Sequence, residues 1–138
     1  MVAFTKFQDT VEQMWTATHN LTAAGHVVKG ALHSDAPVVA TDDELADLSQ
    51  PTGTGYTAGG DDTQNGMTES GGTATWTAVD HTWTATAGDW TAFRYLAHHN
   101  DNSTTDKLLG DWDYGSNVTL LNGETFTADY GASVGTLA

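Results

Sequence analysis

The stretch from Lys107 to Tyr130, KLLGDWDYGSNVTLLNGETFTADY, constrains the fold more than any other, because it joins strand periodicity, turn chemistry and aromatic anchors. Leu108, Gly110, Trp112 and Tyr114 fall on one face of an extended segment, with Lys107, Leu109, Asp111 and Asp113 on a mostly polar other face. Gly115-Ser116-Asn117 predicts a break. Val118 and Leu120 then carry the apolar face of a second strand, and Phe126, Ala128 and Tyr130 that of a third. A two-residue loop at Asn122-Gly123 would put Val118 and Leu120 on the opposite face from Phe126. A three-residue loop, Leu121-Asn122-Gly123, pairs Leu120 with Glu124 and Val118 with Phe126; a crossover between two sheets satisfies the same parity. In both, Gly123 is expected at positive φ.

Upstream, Phe4, Phe7, Val11, Met14 and Trp15 recur at helical spacing and predict an amphipathic helix over residues 5–18, covering a sheet or serving an assembly contact. His26–His33 reads as a strand, with Val27, Lys29, Ala31 and His33 alternating against His26, Val28, Gly30 and Leu32. Thr41 and Glu44 have capping-box spacing for a short helix from Asp42 to about Leu48. Ser49–Gly72 holds Pro51 and seven glycines, and reads as a long loop or distorted edge strand and a candidate contact surface. In Thr73–Ala87, Ala74, Trp76 and Ala78 alternate, and after Val79-Asp80-His81 the phase shifts to Trp83, Ala85 and Ala87. A turn or bulge must absorb that shift. Phe93–His99 is another strand, with Phe93, Tyr95 and Ala97 opposite Arg94, Leu96 and His98, and residues 133–138 could close the fold. The expectation is one all-β domain over residues 1–138: an antiparallel β-sandwich of about seven to eight strands, spanning about 26–138, with an N-terminal amphipathic helix.

Charge narrows the partners. Eighteen acidic residues face four basic ones, Lys6, Lys29, Arg94 and Lys107, for a formal charge of -14. Nucleic acid is not an expected partner, since phosphate contacts need clustered Lys and Arg. Fourteen of the acids are Asp, which looks like a halophile's surface: at molar salt the Debye length of ~3 Å removes most of the self-repulsion. No run of 18 apolar residues and no leader pattern is present, so neither a membrane span nor secretion is expected. The absence of cysteine rules out disulfides and thiolate chemistry.

Candidate chemistry has a structural alternative at each position. His98-His99 beside Asn100-Asp101 is the best metal-like cluster, but adjacent strand residues point to opposite faces and no metal site is expected. Asp80-His81 resembles an acid-base pair without a nucleophile or third orienting group, and reads as a turn. Asp111 and Asp113 share a strand face and could meet calcium, yet a solvated acidic face is the simpler reading. Asn20, Asn102 and Asn117 each head a glycosylation acceptor pattern, with Asn102 the one expected to be exposed. No catalytic residue and no cofactor is assigned, and the chain is expected not to be an enzyme.

The segment W-D-Y-G-S-x-V-T-L-x-x-G-E-x-F-T resembles the C-terminal half of small virion-associated proteins of tailed bacterial and archaeal viruses. FTKF, SDAPVVATDDELADLS, GYTAGG and FRYLAHHND look similar in the same order, so the likeness runs from about Phe4 to Leu137. It implies a structural role on the outer surface of a virus particle, after residence in the host cytoplasm. The expected partners are the major capsid protein or neighbouring virion proteins, with self-association into a homo-oligomer such as a trimer. The first reading is a capsid decoration or turret protein of a virus with a halophilic host. The alternative is a tail or fibre module recognising the host surface, its Gly-rich loop and tryptophans stacking on sugars. Phe7, Met14 and Trp15 are the candidate partner contacts.

Overall fold

The computed structural model describes residues 4–137. The chain is mostly β, 39% strand and 7% helix, and its strands pair antiparallel. The centre is a long hairpin of β7 (Phe93–Asn100) and β8 (Lys107–Val118). Around it a five-stranded sheet forms in the order β1-β8-β7-β2-β3, with β1 at Phe4–Lys6, β2 at Val28–His33 and β3 at Asp61–Asp62. A three-stranded sheet follows the order β10-β5-β4, built from Gly135–Leu137, Thr73–Thr77 and Gly66–Ser70. The third sheet pairs β6 (His81–Thr84) with β9 (Thr125–Ala128). The phase shift at Val79-Asp80-His81 is therefore where the chain leaves one sheet for another.

The principal core lies where the three sheets meet. Val28, Leu32, Leu96, Leu109 and Trp112 from the large sheet pack with Trp76 of β5 and with Trp83, Phe126 and Ala128 of the smallest sheet. On the large sheet's other face Phe7, Leu48, Ala97 and Leu108 form a second cluster, roofed by the strap of residues 34–48. Backbone bonds hold that strap down: Leu108 N to Asp43 O at 2.9 Å, Leu45 N to Asp106 O at 3.0 Å and Gln8 N to Val39 O at 2.9 Å.

Residues 108 and 109 are both buried because β8 carries a bulge. His98 pairs with Gly110 but His99 pairs with Leu108, so Leu109 is the extra residue. The expected face therefore divides: Leu108 lies with the second cluster, while Trp112 lies in the principal core. A second irregularity, between Phe93 and Tyr95, corrects the other alternation; Phe93 joins the principal core while Tyr95 stacks on His33 across the sheet, centroids 5.1 Å apart. Strand β8 also continues through Gly115-Ser116-Asn117, where a break was expected.

The helix of residues 5–18 is corrected to α1, Thr10–Trp15. Phe4–Lys6 is instead a strand, with Thr5 opposite Asp111. Phenylalanines three apart share one face of a helix but take opposite faces of an extended chain. Here Phe4 packs on the principal core and Phe7 fills the second cluster. Burying Phe7 alone contributes about 2–3 kcal/mol, more than the roughly 1 kcal/mol a helix cap supplies. The short helix near residue 44 is a 3-10 turn, Leu45–Asp47. Asp47 closes it by accepting from the amides of Asp43 and Glu44 at 3.1 Å, so the capping position lies three residues beyond Thr41.

Gly123 has φ 92, as expected, in a turn closed by Glu124 N to Leu121 O at 2.9 Å. The crossover is the arrangement adopted: β9 pairs with β6, Phe126 opposite Trp83, and not with the chain around Val118. Ser49–Gly72 contains β3 and β4, and much of the remainder is packed down rather than projecting. Gly60, at φ 71, lies so close to Gly30 that an added Cβ would sit 1.9 Å from its carbonyl oxygen. Among the described residues no helix is long and apolar enough to cross a membrane.

Candidate functional site

An apolar groove of about 480 Å³ runs between α1 and the neighbouring edges of the five- and three-stranded sheets. Its floor begins with Phe4, held edge-on to Trp76 at 5.7 Å and laid against the Cα of Gly110, where any Cβ would meet the ring at 1.9 Å. Leu109, made available by the bulge, lines the same groove. The wall is the outer side of α1: Val11, Met14 and Trp15. Thr10 ties this helix to β8 by donating its hydroxyl to Leu109 O at 2.9 Å, and Ala17 ends it in the left-handed region, φ 59.

Trp15 is 89% exposed, whereas Trp76, Trp83, Trp90 and Trp112 are each 6% exposed or less. Leaving an indole in water forgoes roughly 4 kcal/mol of burial at its usual area. Val11 and Met14 beside it are also exposed. Their union with the groove makes a contiguous apolar surface of the kind that marks an interaction site. Charge sets the same place apart. Lys29, Arg94 and Lys107 pair with Asp101, Asp113 and Asp43 at 2.8, 2.7 and 2.9 Å. Lys6, on the groove, makes no ion pair among the described residues. The chemistry available is recognition: apolar insertion beside one ammonium.

Of the contact residues expected from the sequence, Met14 and Trp15 line this groove. Phe7 does not reach solvent at all, since the turn from β1 to α1 drives it into the second cluster. The sequence carried no local sign of Phe4 and Trp76 as partners in one floor, because they sit on strands of two different sheets and meet only where those sheets pack.

The other candidate residues take separate roles. His98 and His99 point to opposite faces: His98 Nε2 meets Tyr130 Oη at 3.1 Å, and His99 Nε2 donates to Gly59 O at 2.8 Å. Burial holds the His98 imidazole down at about 3, well below the ordinary histidine range. Asp80 accepts from the amide of Tyr130 at 2.8 Å while His81 lies 3.3 Å from Asp61, so the two do not act as a pair. Asp111 is no solvated face residue. It is buried and bonded to His33 Nε2 at 2.7 Å; burial raises its carboxyl pKa against the opposing pull of His33. Asp113 is clasped by Arg94 at 2.7 and 2.8 Å, which lowers it to about 2. Asn20, Asn102 and Asn117 are all exposed.

No family model, curated protein or solved structure matches the chain.

Proposed function

We propose that this chain is a virion structural protein of a tailed virus, a capsid decoration or turret protein on the outer surface of the head, from a virus with a halophilic host. The observation that carries the reading is the surface formed by Val11, Met14 and Trp15 with the adjacent groove, a site suited to docking. The resemblance of the Trp112–Thr127 segment to virion proteins supplies the setting. The large sheet on one side and the two smaller sheets on the other are read as the layers of a β-sandwich of that kind. The major capsid protein, or a second copy of this chain in a homo-oligomer such as a trimer, is the partner for the groove. The acidic balance supports the halophilic setting and offers nucleic acid no clustered basic surface.

The tail or fibre reading draws less support. It relied on tryptophans and the Gly-rich loop for sugar stacking, but four of the five indoles are buried and Pro51, Gly60, Thr63 and Asn65 are buried within that loop region. Quantitative mass spectrometry of purified particles tests the proposal. Tens to hundreds of copies per particle are expected on the scale of a shell lattice; a tail site gives far fewer, and absence from particles removes both readings. The halophilic part has its own check. The melting temperature is expected to climb between about 0.1 and 2 M chloride, where the Debye length shrinks from ~10 Å to below ~3 Å. A flat profile would remove it.

A further inference from the structure

We propose a divalent transition-metal site at the β7–β8 turn, formed by His99 Nδ1 and the carboxylates of Asp101 and Asp106. The ligand atoms of these three residues lie within 4.8 Å of one another. The decisive group is His99, whose side chain is 1% exposed. Its Nε2 faces the carbonyl of Gly59 at 2.8 Å, and a carbonyl only accepts, so Nε2 carries the hydrogen. With the hydrogen of the neutral ring on Nε2, Nδ1 presents a lone pair. That nitrogen has no hydrogen-bond partner and points at Asp106 Oδ1, 3.8 Å away. Two acceptors thus face each other across a gap too long for a direct bond, with Asp101 as a third. Asp101 already faces Lys29 Nζ at 2.8 Å, so the unmet need lies between Nδ1 and Asp106, and a dication there engages all three residues at once.

A metal-bound histidine commonly donates its other N–H to a carbonyl or carboxylate, which fixes the tautomer, and Gly59 supplies that here. An imidazole beside two carboxylates suits zinc or manganese better than calcium or magnesium, which prefer all-oxygen shells. Zinc bonds of ~2.0–2.1 Å in tetrahedral geometry place ligands about 3.4 Å apart, so a small contraction of the turn completes the set. Asp101 and Asp106, with side chains 37% and 43% exposed, leave an open approach and room for water ligands. Lys29, 2.8 Å from Asp101, is the cation an incoming metal must displace or share. The bound ion would join the β7–β8 turn to the loop carrying Gly59. Asp106 was invisible as a partner in the sequence, lying seven residues beyond His99 across a turn.

The test is calorimetric titration of the metal-stripped chain with zinc chloride, with Asp106→Asn as the variant. Asparagine tolerates the left-handed backbone, φ 50, at this position, so the stripped variant should melt with the wild type. One zinc per chain is expected, with a raised melting temperature and affinity at least about tenfold weaker in the variant. Cobalt in place of zinc should give a visible absorption band that the variant loses. No saturable binding below about 1 mM, or a change smaller than about tenfold in the variant, would overturn the site. If Asp106→Asn fails to fold, Asp101→Asn carries the same criterion.

Discussion

Helix α1 and the Gly-rich segment 50–65 have exchanged the places that their compositions imply. The helix carries an apolar stripe and leaves Val11, Met14 and Trp15 in solvent. The segment is polar and rich in glycine, yet it is sewn onto the sheet. Thr63 sends both its amide and its hydroxyl to Val28 O at 2.9 and 2.8 Å, Asn65 Oδ1 accepts from Val28 N at 2.9 Å, and Trp90 donates to Thr54 O at 2.9 Å. The difference teaches that burial at a sheet edge is governed by backbone hydrogen-bonding need as much as by apolar side chains. On its outer side β2 is paired only at Lys29 and Gly30, by the two-residue β3, so further backbone groups there need partners, and a chain in which glycines permit close approach can supply them. Helix α1 makes its backbone bonds locally, as in Gln13 N to Asp9 O at 3.1 Å and Thr16 N to Glu12 O at 2.9 Å, and has no such claim on the core.

The sharpest way to break this contrast is Gly60→Val. The added side chain would collide with Gly30 O and also require positive φ, so a loss of about 3 kcal/mol or more is expected in urea unfolding. A variant with the wild-type midpoint would mean that the segment is not seated on β2. The next largest effect comes from the core that both regions border. His98 sits near 3 when folded against 6.5 unfolded, so the unfolded chain binds the extra proton between those values. Its stabilising contribution is full above pH 6.5 and is lost as pH falls toward 3, amounting to about 2 kcal/mol by pH 5. Molar salt should be present to screen the changing carboxylates. In a comparison of wild type with His98→Asn, the variant should lose the corresponding part of the acid slope; parallel slopes would refute this.

Gly123→Val sets a scale for backbone strain without collision, since nothing lies within 4 Å of the would-be Cβ while φ is 92. About 1–2 kcal/mol is expected, and Gly123→Asn should be milder. Equal midpoints for all three would deny the turn its left-handed residue. Trp15→Ser should change stability least, by no more than ~0.5 kcal/mol, since the indole already meets water. Its expected effect is reduced incorporation into particles, or reduced self-association by sedimentation. A large stability loss would show that Trp15 belongs to the fold and not to a contact surface.

The legible parts of the chain were those where period two runs unbroken over a full strand, as in Val28–His33. Phe4 and Phe7 misled because their spacing fits a helix face and two sheet faces equally well, and only the distant Trp76 and Leu108 decide between them. Met14 and Trp15 could be singled out locally; the groove floor and the pairing of His99 with Asp106 could not, because they arise from closure of sheets and turns. The leucine pair at 108–109 gives no sign of which residue a bulge will leave unpaired.

That extra residue makes the hairpin behave like a text with a fixed reading frame. Asp111 is buried against His33 on one side and Trp112 in the aromatic core on the other, each placed by counting from Leu109. Deleting one residue between 107 and 111 would shift that count and offer a carboxylate to the aromatic core. Lineages of this sequence should therefore gain or lose residues singly where pairing is already loose, at Tyr114–Asn117, where β8 lacks regular partners. Closer to the bulge, a viable change in length should come with a compensating one on the facing strand.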